Sequence, residues 1–217
     1  MKLRLIYTGE LKASQQPDLS TGLPKQVFHK HQIRKVFHSQ LKQFWEQDFF
    51  LKSNRVVPSY YGVDTSVPDF EKIWQPDQNK MVSLSKAVAN QHQEFSYKFV
   101  PLARKDWKLH CKLQILLLRR DGINSAISAG DIDNRVKTII DALTKPAHLN
   151  QLPDGAIPVE GEDPFYCLLE DDRLVTSLEV ESDVLLDSNY PSNHAHVIIS
   201  AEIRPHTVDI FNLSFAS

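Results

Sequence analysis

The stretch KLHCKLQILLLRR, Lys108 to Arg120, decides the fold. Leu109, Cys111 and Leu113 alternate with His110, Lys112 and Gln114, the period of a half-buried strand. From Ile115 to Leu118 the run is continuously apolar, as when a strand moves into the middle of a sheet. The small-residue segment Gly122 to Gly130 breaks it, and GDIDNRVKTIIDAL, Gly130 to Leu143, follows with helical spacing. Ile132, Val136, Ile139 or Ile140, and Leu143 share one stripe, predicting a helix from about Ile132 to Thr144. Further strands are predicted where Leu3, Leu5 and Tyr7 alternate with Lys2, Arg4 and Ile6, and at Phe95–Leu102, Phe165–Leu169, Arg173–Glu181 and His194–Pro205. Ile33, Phe37, Leu41 and Phe44, widened by Trp45 and Phe49, predict a long helix from Val27 to about Leu51. Gly9–Lys25, Ser53–Asn79 and Lys145–Pro164 carry the proline and glycine punctuation of loops. The order predicts an α+β fold, a mixed β-sheet with helices packed mainly on one face. One domain over residues 1–217 is expected, with insertions at about 53–94 and 146–164.

Hydrophobic residues are 41% and charged residues 24% of the 217-residue chain, which argues against wholesale disorder. The net charge of −2 argues against coating nucleic acid by bulk electrostatics, and leaves room for a local basic surface. Cys111 and Cys167 lie far apart without metal-ligand spacing, which fits a reducing cytosol. MKLRLIYTGELK has too short an apolar run for a secretory leader and alternates like a strand. No segment approaches the ~18 apolar residues of a membrane span. The expectation is a soluble cytoplasmic protein with no membrane partner.

A helix starting at Ile132 makes Asp131 its N-cap and puts Asp133 in its first turn. Asp133, Lys137 and Asp141 then follow at i, i+4 and i+8 beside the apolar stripe. One reading is structural: Asp is a favoured N-cap, acids near a helix N-terminus gain ~0.3–1 kcal/mol, and Asp133–Lys137 is an ordinary helical pair. The second reading draws on LLEDDRLVTSLEV, which places Glu170, Asp171 and Asp172 at a break between two apolar strand segments. Such a break beside the helix N-terminus would bring these acids to Asp131 and Asp133. Two carboxylates ~4 Å apart repel by roughly 4 kcal/mol at a surface-like dielectric, so a converging group calls for a cation. All-oxygen donors favour Mg²⁺ or Mn²⁺, and that chemistry suits phosphodiester hydrolysis. Lys137, one turn from Asp133, is placed to stabilise developing negative charge.

GDIDNRVKTIIDALTKP, followed downstream by LEDDRLV, resembles the RusA family of Holliday-junction resolvases. The shared pattern is Asp-x-Asp-Asn, a Lys three residues after the Asn, a DAL helix end and an acidic pair before a strand. It covers roughly Ile115 to Val180. The resemblance implies that Asp131, Asp133 and Asp172 are metal-binding catalytic acids, with Asp171 a further metal ligand. Lys137 would be the catalytic lysine, and Asn134 would support the site and the substrate. It also implies a small α/β fold, Mg²⁺- or Mn²⁺-dependent DNA cleavage, and a homodimer that sets two active sites on the symmetric strands of a four-way junction. The chain departs from the pattern in the segment Pro146–Cys167 between helix and acidic pair, and in the uncharged loop GINSAISAG.

Lys30, Arg34, His38 and Lys42 recur every four residues on the first long helix, as a basic stripe that tracks a phosphate backbone or as a solvated face. Arg119 and Arg120 are candidates for a DNA-facing rim. His29 with His31 and His194 with His196 are weak metal pairs, and Cys167, Phe165 and Tyr166 read as core. Two rival functions follow. One is a nuclease on the same scaffold that cuts RNA, flaps or duplex. The other is a non-catalytic nucleic-acid- or protein-binding module whose acids only cap the helix.

Overall fold

The computed structural model describes residues 1–11, 25–56, 81–120, 129–187, 189–191, 194–209 and 212–216, and of residues 25 and 129–131 the backbone alone. The chain order is β1 (Lys2–Glu10), α1 (Lys25–Gln47), α2 (Phe49–Ser53), β2 (Arg55–Val56), β3 (Val82–Ser83), α3 (Leu84–Gln91), β4 (Gln93–Glu94) and β5 (Tyr97–Ala103). It continues with β6 (Leu109–Arg119), α4 (Ala129–Leu143), β7 (Phe165–Leu169), β8 (Val175–Val184) and β9 (His194–Pro205). This is an α+β fold with mixed sheets. No described helix is long and apolar enough to cross a membrane.

The larger sheet has the order β1-β9-β6-β8, antiparallel at β1–β9 and β9–β6 and parallel at β6–β8. KLHCKLQILLLRR therefore forms an interior strand. Its apolar run still alternates: Ile115 and Leu117 are buried, whereas Leu116 and Leu118 are half-buried. Only one face of the sheet is covered, by α1 and α4, and no described element packs on the other. Leu5, Ile33, Phe37, Leu113, Ile139, Val197 and Ile199 meet in the covered layer. Complete burial of such a side chain contributes ~1.5–3 kcal/mol.

A smaller sheet, β4-β5-β7, sits against this core, with β5 and β7 parallel. Tyr97, Phe99, Leu152, Phe165 and Cys167 form a second cluster there. Helix α1 serves both layers. Ile33, Phe37 and Leu41 enter the main core, and the rings of His31 and His38 stack on Phe165 at 6.1 and 4.3 Å.

The expected single helix to Leu51 is broken at Asp48, which is extended and whose side chain accepts the Leu51 N–H, starting α2. Helix α4 begins at Ala129, so Asp131 lies inside the first turn and not at the N-cap. Helix α3 has no counterpart in the sequence reading, yet Leu84, Val88 and Ala89 belong to the main core. Residues 57–80 of the predicted Ser53–Asn79 loop, and residues 121–128 before α4, lie outside the described residues.

Candidate functional site

Strand β7 is buried along its whole length and is held parallel to β5 from Phe99↔Phe165 to Ala103↔Leu169. Its direction fixes where the acids after it arrive. Glu170 donates its N–H to Ala103 O at 3.0 Å, and its Oε2 accepts the Lys105 N–H at 2.8 Å. Asp171 is extended and caps the 3-10 turn Asp172–Leu174. Its Oδ1 accepts the Arg173 N–H at 3.0 Å and Arg173 Nε at 2.9 Å, and its Oδ2 accepts Arg173 Nη2 at 2.7 Å. Lys105 Nζ also donates to Oδ2. The Arg173 guanidinium, helped by the Lys105 ammonium, holds the Asp171 carboxyl far below the usual carboxylate range. Asp172, next along, is exposed; its carbonyl accepts the Val175 N–H, and its side chain makes no hydrogen bond or ion pair with another described residue.

The C-terminal end of α4 reaches the same place. Thr144 bridges Leu169 in parallel, and Lys145 donates its N–H to Leu169 O at 2.9 Å. Asp141, one turn earlier, thereby faces a cleft of about 240 Å³ that Glu170, Asp171, Asp172 and Arg173 also line. Lys30 Nζ lies 2.9 Å from Asp141 Oδ2. The buried Arg34 guanidinium donates to Asp141 O at 3.1 Å and to Gln151 O at 3.5 Å. Lys145, on the same wall, pairs with Glu94 at 2.7 Å. The result is a cleft of alternating sign, four acids against four cations, open to a polar ligand.

Asp171, Asp172, Lys30 and Arg34, all predicted from the sequence, gather at this cleft. Asp133, Asn134 and Lys137 do not line it. Asp133 precedes Asp141 by two turns of α4, a rise of about 12 Å. Asp133 and Lys137 are exposed, and Asn134 is half-buried. The Asp131 side chain lies outside the described residues. The sequence reading expects the acidic turn beside the helix N-terminus, as when a short link sends a strand back along a helix. The longer connector, residues 145–164, lets β7 enter from the far side, so its end meets the helix C-terminus.

The basic stripe on α1 faces inward. Arg34 and His38 are 3% and 5% exposed, and Lys42 donates to Gly161 O at 3.4 Å. Arg119 is buried at the end of β6, and the exposed Arg120 donates to Tyr190 O; neither lines the cleft. Cys167 is buried, and burial pushes its thiol up to about 12. His196 bonds Thr8 Oγ1 through Nδ1 at 2.8 Å. Asp141, Lys145, Glu170 and Arg173 are additions to the predicted site. Their signal was present in DALTK and LEDDR, as the charged residues flanking the chosen acids.

Among the described residues no group of three or more His, Cys, Asp or Glu side chains is placed to hold a metal ion. Asp133 and Asp172 each offer the exposed carboxylate oxygens that a hard cation takes, but only Asp172 of the two lines the cleft. Asp171 does not fit as a ligand, because both of its oxygens already hold Lys105 and Arg173. Compared with protein-family models, with curated proteins and with solved structures, the chain matches none.

Proposed function

We propose that this chain is a RusA-like endodeoxyribonuclease, dependent on Mg²⁺ or Mn²⁺, that cuts branched DNA such as Holliday junctions as a homodimer. The observation that supports the reading is Asp172, exposed at the turn after β7 in a cleft that it lines together with Lys30, Arg34 and Arg173. The resemblance assigns the cation to Asp131, Asp133 and Asp172, and of these the cleft is lined by Asp172. Bound there, a divalent ion supplies water activation and neutralises charge on the scissile phosphate. The protein's own groups do the rest. Lys137, exposed one turn from Asp133, offers its ammonium to the developing charge. Asp171 orients Arg173, whose side chain is 79% exposed and available to a phosphate oxygen.

Cleavage of a four-way junction with and without Mg²⁺ tests the reading. Asp172→Asn is expected to abolish cleavage and keep junction binding, and Lys137→Ala to depress turnover more than binding. Full activity in Asp172→Asn would overturn the mechanism. A marked preference for flap, duplex or RNA in the same assay would replace the junction assignment with the related nuclease reading. The second reading, a non-catalytic binding module, draws on the ion pairs that commit Asp141 and Asp171. Titration of Mn²⁺ separates the two. The nuclease requires binding that weakens in both Asp133→Ala and Asp172→Asn, whereas the binding module requires none. Affinity unchanged in Asp133→Ala alone would detach the helix acids from the ion.

A further inference from the structure

Away from the cleft, α1, α2, α3 and β7 meet around a cavity of about 360 Å³, a volume within the range of small-molecule sites. The break at Asp48 brings Leu51 and Lys52 of α2 to the same space as Trp45 and Glu46 from the last turn of α1. Tyr166 enters from β7, its ring 5.9 Å from that of Trp45. Ser83 and Ser85 come from the start of α3.

The lining sorts by chemistry. Trp45, Leu51 and Tyr166 are buried and supply an apolar floor. The Ser83 hydroxyl caps α3 by accepting the Lys86 N–H and lies 3.3 Å from Ser85 Oγ, and Ser85 in turn hydrogen-bonds Tyr166. These hydroxyls are thereby fixed at the helix end where the macrodipole favours an anion. Lys52 and Glu46 are both exposed, and the side chain of neither makes a hydrogen bond or ion pair with another described residue. Opposite charges thus line one small cavity without pairing with each other. Trp45 is 3% exposed, and its buried Nε1 donor has no acceptor, whereas a buried indole N–H ordinarily finds one.

We infer that this cavity binds a small zwitterion with an apolar body, the chemistry of an apolar or aromatic α-amino acid. The carboxylate answers the donors, which are Lys52, the two serine hydroxyls and the Trp45 N–H. The ammonium answers Glu46, and the side chain covers the floor of Trp45, Leu51 and Tyr166. Ligands with one charge fit less well. An apolar anion shares the cavity with the Glu46 carboxylate, and an apolar amine shares it with the Lys52 ammonium, so each meets a repelling charge. A hydrocarbon leaves the hydroxyls and the indole N–H unanswered. The cavity shares no lining residue with the cleft, so the inference goes beyond the proposed function and stands or falls without it.

Titration of L-phenylalanine into the full chain, followed by the indole N–H resonance of Trp45 in NMR, tests it. The variant Trp45→Phe assigns that resonance. Two further probes each lack one charge: 3-phenylpropionate has no ammonium and phenethylamine has no carboxylate. Phenylalanine is expected to shift the Trp45 resonance with a Kd of ~1 mM or tighter, within reach of a ligand of about a dozen non-hydrogen atoms. Each single-charge probe should bind about tenfold more weakly. Lys52→Met should weaken phenylalanine about tenfold and erase its advantage over phenethylamine. Glu46→Gln should weaken it similarly and erase its advantage over 3-phenylpropionate. Both positions are exposed, and circular dichroism verifies that the variants fold. No shift of the Trp45 resonance at ~10 mM phenylalanine overturns the site. Binding of either single-charge probe as tight as that of phenylalanine overturns the zwitterion, as does phenylalanine affinity unchanged in Lys52→Met or in Glu46→Gln.

Discussion

Asp171 and Asp172 are neighbours of one chemical type with different work to do. Asp171 accepts from the Arg173 backbone, the Arg173 guanidinium and the Lys105 ammonium, and its carboxylate starts the 3-10 turn. Asp172 is exposed within that turn. Removing the first charge leaves two cations facing each other and an uncapped turn; removing the second leaves the fold's hydrogen bonds intact. Asp171→Asn is therefore expected to lose about 1–2 kcal/mol of stability, and Asp172→Asn to stay within about 0.5 kcal/mol of wild type. Urea unfolding of the two variants measures this directly. Equal losses would mean that the ion pairs at Asp171 are screened to insignificance.

At the scale of elements, the junction of α1, α4 and β7 shapes the cleft. Helix α4 ends at Leu143, so the carbonyls of its last turn lack helical partners. Arg34 reaches across from α1 to take Asp141 O, and Thr144 Oγ1 takes Ile140 O at 2.7 Å. A guanidinium at a helix C-terminus also opposes the negative end of the macrodipole. Arg34→Met keeps the apolar stem and removes these donors, leaving carbonyls buried without partners. A loss of about 2 kcal/mol is expected, with amide hydrogen exchange quickening first in the last turn of α4. Exchange that rises evenly along the chain would show that Arg34 is not a local cap.

The same junction marks how far the sequence could be read. The hydrophobic periods carried β7 and β9 with their observed limits and β6 and α4 to within a few residues, because each lays a regular apolar row on one core. The stripe Lys30, Arg34, His38, Lys42 was periodic too, but residue type does not reveal that a second layer, β5 and β7, buries that side of α1. Helix α3 was illegible for a related reason: its eight residues give little more than two turns, and Leu84 and Val88 acquire meaning only from the core they enter. At the candidate site, the residue types of the acidic turn were legible. Its partner end of α4 was not, since that depends on β7 pairing with β5 across a long connector.

For the whole molecule, the two-layer burial of α1 has a cost that depends on pH. His31 lies 3% exposed between Tyr97 and Phe165. Burial first, then the Arg34 and Lys35 charges, lowers it to about 4, against the raising effect of Glu162. His92 is lowered to about 4 by burial and by Lys145 and Arg104, with Asp106 and Glu94 opposing. His38 is lowered too, chiefly by burial; its Nδ1 accepts the Tyr166 N–H at 2.8 Å, which protonation would break. In the unfolded chain these rings take up a proton near pH 6.5. Between pH 6.5 and 4 the unfolded state therefore binds more protons than the folded one, and stability must fall as pH falls. Each such histidine adds up to ~1.4 kcal/mol per pH unit to that slope. Asp171 adds loss of the same sign only below its ordinary value of 3.8. Thermal unfolding across this range is expected to be flat above pH 7 and to decline steadily from 6.5 to 4, well before carboxylate protonation. His31→Leu should flatten the decline by nearly one proton's worth while leaving the limb below pH 3.8 in place. A Tm that holds constant from pH 7 to 4 in the wild type would mean that His31 and His92 reach solvent in the folded chain, and that the second layer is open.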